Sequence, residues 1–324
     1  MANKVQCELC PNECVLENNQ RSRCRARMNK DGVLFSLVYG KPCAVHVDPI
    51  EKKPFSHFLP STTAFSLATA GCVLSCKFCQ NWQISQAKPE DTDTYDLPPD
   101  SVVRQAIFYK CRSISYTYTE PTVFYEYMYD TALIARKYSI KNTMHSCGYI
   151  KEKPLRKLSK YMDAANIDLK AFTEDFYGKI CGGSLKPVLN SLVVLKEEGV
   201  WLEITNLVIP TLNDDIKNIK EMCRWILKNL GPDVPIHFSR FYPSYKLTNL
   251  PPTPLETLTE ARKAAMDAGL KFVYIGNIRH ESESTFCPKC KKILVERTGY
   301  VVKQNNISNG KCRFCGTSIA GVWS

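Results

Sequence analysis

From residue 63 to residue 276 the chain repeats one rhythm, and that rhythm restricts its fold more than any other feature. Short runs rich in β-branched and aromatic residues alternate with longer amphipathic stretches. The runs TAFSLATA (63–70), SISYTYT (113–119), NTMHS (142–146), ANIDLK (165–170), VWLEITNLVI (200–209), PIHFSRF (235–241) and KFVYIG (271–276) read as strands. Between them VVRQAIFYKC, TVFYEYMYDTALIARKY, DDIKNIKEMCRWILKNL and PLETLTEARKAAMDAG read as helices. Asp214 and Pro254 stand where helices start, and Gly231 and Gly269 where they stop. Strand–helix alternation sustained this long predicts a parallel sheet in a barrel, a partial barrel or a doubly wound fold.

Polar residues at the strand ends separate these options. Glu120, His145, Ser146, Asp168, Lys170, His237 and Arg240 end successive candidate strands. A (β/α) barrel assembles its site from the C-terminal ends of several strands, whereas an open sheet gathers ligands at one switch point. The expected fold is therefore α/β, a partial (β/α)6 TIM-type barrel over residues 46–280. Residues 1–45 and 281–324 flank it as small cysteine-rich modules, each too short to build a core without a metal staple.

Sixteen cysteines in 324 residues are many, and they cluster. Cys7, Cys10, Cys14 and Cys24 form one group, Cys72, Cys76 and Cys79 a second, and Cys287, Cys290, Cys312 and Cys315 a third. The N-terminus, MANKVQCELC, lacks the apolar core of an export signal, and no apolar run is long enough for a membrane span. A cytoplasmic protein is expected, in which clustered thiols point to metals rather than disulfides. Cys43, Cys111, Cys147, Cys181 and Cys223 stand alone and read as small buried residues, with Cys43 a possible substitute ligand and Cys147 a possible reactive thiol near the site. The 43 Lys and Arg against 32 Asp and Glu give a net charge of +11, but the basic residues are scattered like solvated helix faces.

Cys72-x3-Cys76-x2-Cys79 directly follows the first barrel strand, at the mouth where ligands bind. Three thiolates on a compact loop hold three corners of a [4Fe–4S] cluster and leave one iron open. The fitting occupant is S-adenosylmethionine, SAM, whose amino and carboxylate groups chelate that iron. An electron from the cluster then cleaves the sulfonium and releases a 5′-deoxyadenosyl radical.

This spacing resembles the radical SAM superfamily. The segments VDPIEKKPFSHFLP, CKFCQNWQIS, YTYTEPTVFYEYMYD, AANIDLKAF, LVIPTLND, HFSRFYPSYKLT, VYIGN and a terminal CxxCG…GVW narrow the resemblance to the radical SAM member of the AmmeMemoRadiSam system. That group is similar to the pyruvate formate-lyase activating enzymes. The resemblance runs over nearly the whole chain and implies the following roles. Cys72, Cys76 and Cys79 hold the catalytic cluster, and Phe78 lies beside the adenine. Glu120 and the backbone before it at Thr119 receive the SAM amino group. Lys170 meets the SAM carboxylate, with Asp168 and Ser146 in the same cofactor-binding set, and His237 lines the SAM site. A low-potential electron donor such as flavodoxin or ferredoxin is also implied. Three segments depart from the pattern. HSCGY (145–149) stands where activating enzymes have Asp-Thr-Asn-Gly, Val73 where asparagine is common, and Thr211 where glycine is usual.

Of the flanking groups, Cys287-x2-Cys290 and Cys312-x2-Cys315-Gly316 read as a zinc ribbon, with iron as the alternative. The N-terminal quartet fits zinc or an auxiliary iron–sulfur cluster. Two function classes follow. The first is a radical SAM enzyme of oxidoreductase type, taking hydrogen from a protein glycine, a peptide, an RNA or a small anionic molecule. The second is a zinc-stapled nucleic-acid-binding protein with a structural cluster. A plain SAM methyltransferase is disfavoured, because no glycine-rich turn follows the first strand.

Overall fold

The computed structural model describes residues 4–324; residues 1–3, part of the segment read for an export signal, lie outside it. Eight strands form one sheet: β1 (Ala44–Pro49), β2 (Thr63–Ala68), β3 (Ser113–Tyr116), β4 (Lys141–Ser146), β5 (Ala164–Asp168), β6 (Trp201–Val208), β7 (Ile236–Arg240) and β8 (Val273–Gly276). They lie side by side in chain order. From β2 to β8 every pairing is parallel, and β1 adds an antiparallel edge on β2. Six crossovers thus join seven parallel strands, so the expected partial barrel is present with one strand beyond six strand–helix units. The edge strand β1 was not anticipated.

The crossover helices are α1 (Pro99–Phe108), α2 (Tyr125–Lys137), α3 (Glu152–Ser159), α4 (Lys186–Glu197), α5 (Ile216–Leu230) and α6 (Leu255–Asp267). They cover one face of the sheet while the other curls inward, so the strands are buried on both sides. Every residue of SISY and all but the last of AANID are accordingly buried, although polar and apolar side chains alternate along both. Core side chains such as Ile204, Ile236 and Phe238 are fully buried, each contributing about 1.5–3 kcal/mol over an exposed position. Helix α5 starts one residue later than the sequence suggests. Asp215 is its N-cap and accepts from the Lys217 amide, whereas Asp214 accepts from the Thr211 amide in the preceding turn. Gly231 ends α5 at φ +92°.

Two small modules flank the barrel. The N-terminal one has two hairpins, pairing Val5–Gln6 with Val15–Leu16 and Arg27–Lys30 with Val33–Ser36. It is tied to the barrel by the Arg27–Glu126 pair, with bonds of 2.9 and 2.6 Å, and by Asn12 Nδ2 donating to the Val73 carbonyl at 2.8 Å. The C-terminal module packs Leu294, Val295, Ile307 and Ile319 against Phe272 and Tyr274 of the last strand region. Its tail returns beneath the barrel, where the Val322 amide donates to the His57 carbonyl and the Leu59 amide to the Val322 carbonyl, both at 2.7 Å. Among the described residues no helix is long and apolar enough to cross a membrane.

Candidate active site

The cysteine loop leaves β2 and is held from below. The Ser75 and Lys77 amides donate to the carbonyls of Cys181 and Ile180, in a short π-helical segment, Tyr177–Cys181. Cys72, Cys76 and Cys79 then face a cavity of about 480 Å³ at the C-terminal ends of β2 to β7. This is ample for a nucleoside-sized ligand. Glu120, Thr119, Ser146, Asp168, Lys170 and Phe78 line the same cavity.

Its electrostatics centre on one pair. Lys170 Nζ lies 2.8 Å from Asp168 Oδ2 and 5.8 Å from the centre of the Phe78 ring, and His145 Nε2 lies 2.9 Å from Asp168 Oδ1. Burial alone would raise the Asp168 pKa, but Lys170 and His145 together hold it well below the usual carboxylate range. Burial would likewise lower Lys170, and Asp168 with the neighbouring thiols keeps it firmly protonated. Asn206 and Asn213 fix this strand end, donating to the carbonyls of Leu169 and Lys170 at 2.7 Å each. Opposite, the Glu120 carboxylate accepts from the Thr122 amide and hydroxyl, the Ser146 hydroxyl and the Cys147 amide. It is thereby locked in place, with one oxygen still able to accept a further donor.

The thiols differ among themselves. A hydrogen bond from Cys181 lowers the Cys76 pKa, outweighing burial, while burial pushes the Cys72 thiol up. Among the described residues only Cys287, Cys290, Cys312 and Cys315 bring three or more candidate ligand atoms within 4.8 Å of one another. The three barrel thiols are therefore too spread to share a single ion. They suit the separate irons of a cubane, with the cavity beside them left for a ligand. A fixed cation beside a fixed carboxylate is also what a zwitterionic sulfonium ligand needs.

The sequence profile of the radical SAM superfamily matches residues 66–225, from the middle of β2 into α5, and so includes the cysteine loop, Glu120 and the Asp168–Lys170 pair. The chain belongs to the radical SAM superfamily. It is 47% identical over 98% of its length to an uncharacterized protein of Methanocaldococcus jannaschii, covering 95% of that protein. It is 23% identical to the pyruvate formate-lyase-activating enzyme of Clostridium pasteurianum over 169 residues, or 49% of this chain and 67% of that enzyme. In fold it resembles a radical SAM methyltransferase from Sphaerobacter thermophilus, with a TM-score of 0.53 at 15% identity over 67% of each chain. It also resembles Streptococcus suis SuiB bound to its precursor peptide, with a TM-score of 0.53 at 16% identity over 71% of this chain and 52% of that one. The chain is thus a radical SAM enzyme, similar to the activating enzymes.

Within this radical SAM barrel, nine of the ten residues expected around cluster and cofactor share one cavity. The tenth, His237, lies elsewhere. It is buried, its Nε2 bonds Glu203 Oε2 at 2.7 Å, its ring stacks on Tyr274, and it lines an adjoining cavity of about 650 Å³. One departure from the radical SAM pattern has a backbone meaning: Thr211, where glycine is usual, holds a left-handed conformation (φ +67°), and Tyr118, two residues before Glu120, holds another (φ +62°). Tyr118 is clamped there, its hydroxyl on Asp48 and its ring 4.1 Å from Lys53 Nζ. Lys53 in turn bonds Asp48 Oδ2 at 2.6 Å, and burial lowers its pKa to about 8. Sequence reading found neither this clamp nor the seat at 177–181, since both join residues far apart in the chain and follow no spacing rule.

Proposed function

We propose that the chain cleaves S-adenosylmethionine reductively at the Cys72–Cys76–Cys79 site and uses the product to take a hydrogen atom from a substrate. The observation that carries this reading is the meeting, in one cavity, of three spread thiols with the Lys170–Asp168 pair and Glu120. When bound, a [4Fe–4S] cluster and SAM supply a 5′-deoxyadenosyl radical. The chain's own residues do the rest. Lys170 holds the ligand carboxylate, Glu120 Oε2 and the backbone at Thr119 receive its amino group, and Phe78 flanks its base.

The adjoining cavity suits the substrate. It shares Lys52, Pro54, Gln80, Ser239, Asn277 and Tyr300 with the first. Lys52, Arg279 and Arg297 outnumber Glu51 and Glu283 on its wall, which favours an anionic group on a small molecule, a peptide, an RNA or a partner protein. The C-terminal module supplies Arg297 and Tyr300 to this wall and carries structural zinc on Cys287, Cys290, Cys312 and Cys315 in this reading. A flavodoxin- or ferredoxin-type donor in the cytoplasm would deliver the electron.

The test is anaerobic reconstitution with iron and sulfide, reduction, addition of SAM and chromatography of 5′-deoxyadenosine, with Cys76→Ala alongside. Cleavage by the wild type alone supports the proposal. A reducible cluster without cleavage in the wild type would sink it and favour the nucleic-acid-binding reading.

A further inference from the structure

Four thiolates held 2.3 Å from one zinc ion in a tetrahedron stand about 3.8 Å apart. The C-terminal quartet matches this spacing: Cys287 and Cys315 Sγ are 3.6 Å apart, and Cys290 and Cys312 Sγ 3.8 Å. The N-terminal quartet does not. Cys7, Cys10, Cys14 and Cys24 line one small cavity. Yet no three of their sulfurs lie within 4.8 Å of one another. Among the described residues the barrel triad is likewise not drawn within 4.8 Å, and the radical SAM reading assigns it to a [4Fe–4S] cluster.

A second observation comes from Arg27, which lines the same N-terminal cavity and is only 4% exposed. Its two terminal nitrogens bond Glu126, but its buried Nε–H has no partner. A buried donor left unpaired is costly unless a ligand accepts from it. The sulfides and thiolates of an anionic cluster are such acceptors, and hydrogen bonds of this kind tune cluster potentials.

We infer that Cys7, Cys10, Cys14 and Cys24 hold an auxiliary [4Fe–4S] cluster rather than zinc, with Arg27 as its buried counter-ion. It would neighbour the barrel cluster closely. The Cys24 carbonyl packs against Gly71, the residue before Cys72, and Val73 of the same loop lines the N-terminal cavity.

The test uses the full chain with Cys72→Ser, Cys76→Ser and Cys79→Ser combined, purified and reconstituted anaerobically with iron and sulfide. About four irons, about four sulfides and about one zinc per chain, with a [4Fe–4S] Mössbauer spectrum, are expected. About two zincs with no iron or sulfide overturn the inference. If the triple variant does not fold, the wild type decides. About eight irons support the inference, and about four irons with two zincs overturn it. Because the triple variant lacks the barrel ligands, this result is independent of whether SAM is cleaved. Arg27→Gln gives a second readout: the cluster's reduction potential should fall when its cationic neighbour is lost, and an unchanged potential removes Arg27 from the account.

Discussion

At the residue scale the site depends on where single charges sit. Lys170 is the cation placed to meet a ligand carboxylate, and Asp168 holds it in position. Lys170→Ala should weaken SAM binding roughly 10- to 100-fold, since a hydrogen bond to a charged group contributes about 1.5–3 kcal/mol. Titration calorimetry on the reconstituted protein measures this. Lys170→Arg should recover part of the loss, because charge is kept while geometry changes. Thr211 offers a cleaner backbone case. It is exposed, β-branched and held at φ +67°, and its turn is kept by its amide donating to Asp214 rather than by its side chain. Thr211→Gly should stabilise the protein by up to about 1 kcal/mol, measured by denaturant unfolding, with SAM cleavage unchanged. Tyr118 sits in the same conformation, but Asp48 and Lys53 anchor it, so glycine there would lose contacts as well as strain.

At the scale of elements the cysteine loop depends on what it packs against. Gly71 has φ +99°, and a Cβ there would run into the Cys24 carbonyl oxygen inside any real contact distance. Gly71→Ala should cost about 2–4 kcal/mol through strain and overpacking. It should also reduce the iron bound after reconstitution, so thermal melting and metal analysis on one preparation test the prediction. This contact explains why a residue so near the cysteines must be glycine, which their spacing alone does not reveal. The elements themselves were largely legible. All seven parallel strands lie where short runs with β-branched and aromatic residues, set between amphipathic stretches, predict them. The edge strand Ala44–Pro49 was not, for it is half exposed and lies across the boundary drawn between the N-terminal module and the barrel. Strand ends revealed Glu120, Asp168 and Lys170, since a polar residue closing an apolar run is itself informative. His237 reads as another strand-end residue, yet it is the second residue of β7 rather than its last, and its ring turns to Glu203, a fully buried carboxylate inside β6. No local pattern foretells that long-range pairing.

At the scale of the whole molecule one buried histidine couples the barrel to the C-terminal module. His57 Nδ1 donates to the Ala320 carbonyl at 2.7 Å, which leaves Nε2 to accept from the Tyr274 hydroxyl at 2.6 Å. Tyr274 meets the Thr285 hydroxyl at 2.8 Å, and Arg297 donates to that hydroxyl at 2.8 Å. The chain of bonds thus runs from the C-terminal hairpin through the last barrel strand to the tail. It works only with neutral His57. Burial lowers the His57 pKa to about 4; Glu203 opposes this, and Arg297 and His237 reinforce it. The unfolded chain binds a proton near pH 6.5, while the folded chain does so only near pH 4. Between these values the unfolded state holds more protons, so folding stability falls as the pH falls through this window and is fully present above it. The loss should approach about 3 kcal/mol by pH 4. Denaturant unfolding from pH 7.5 to 4.5 should show this slope, and His57→Gln should flatten it while lowering stability at neutral pH. An equally steep slope in the variant would assign the acid sensitivity to other groups, such as the metal-binding thiolates, and not to this histidine.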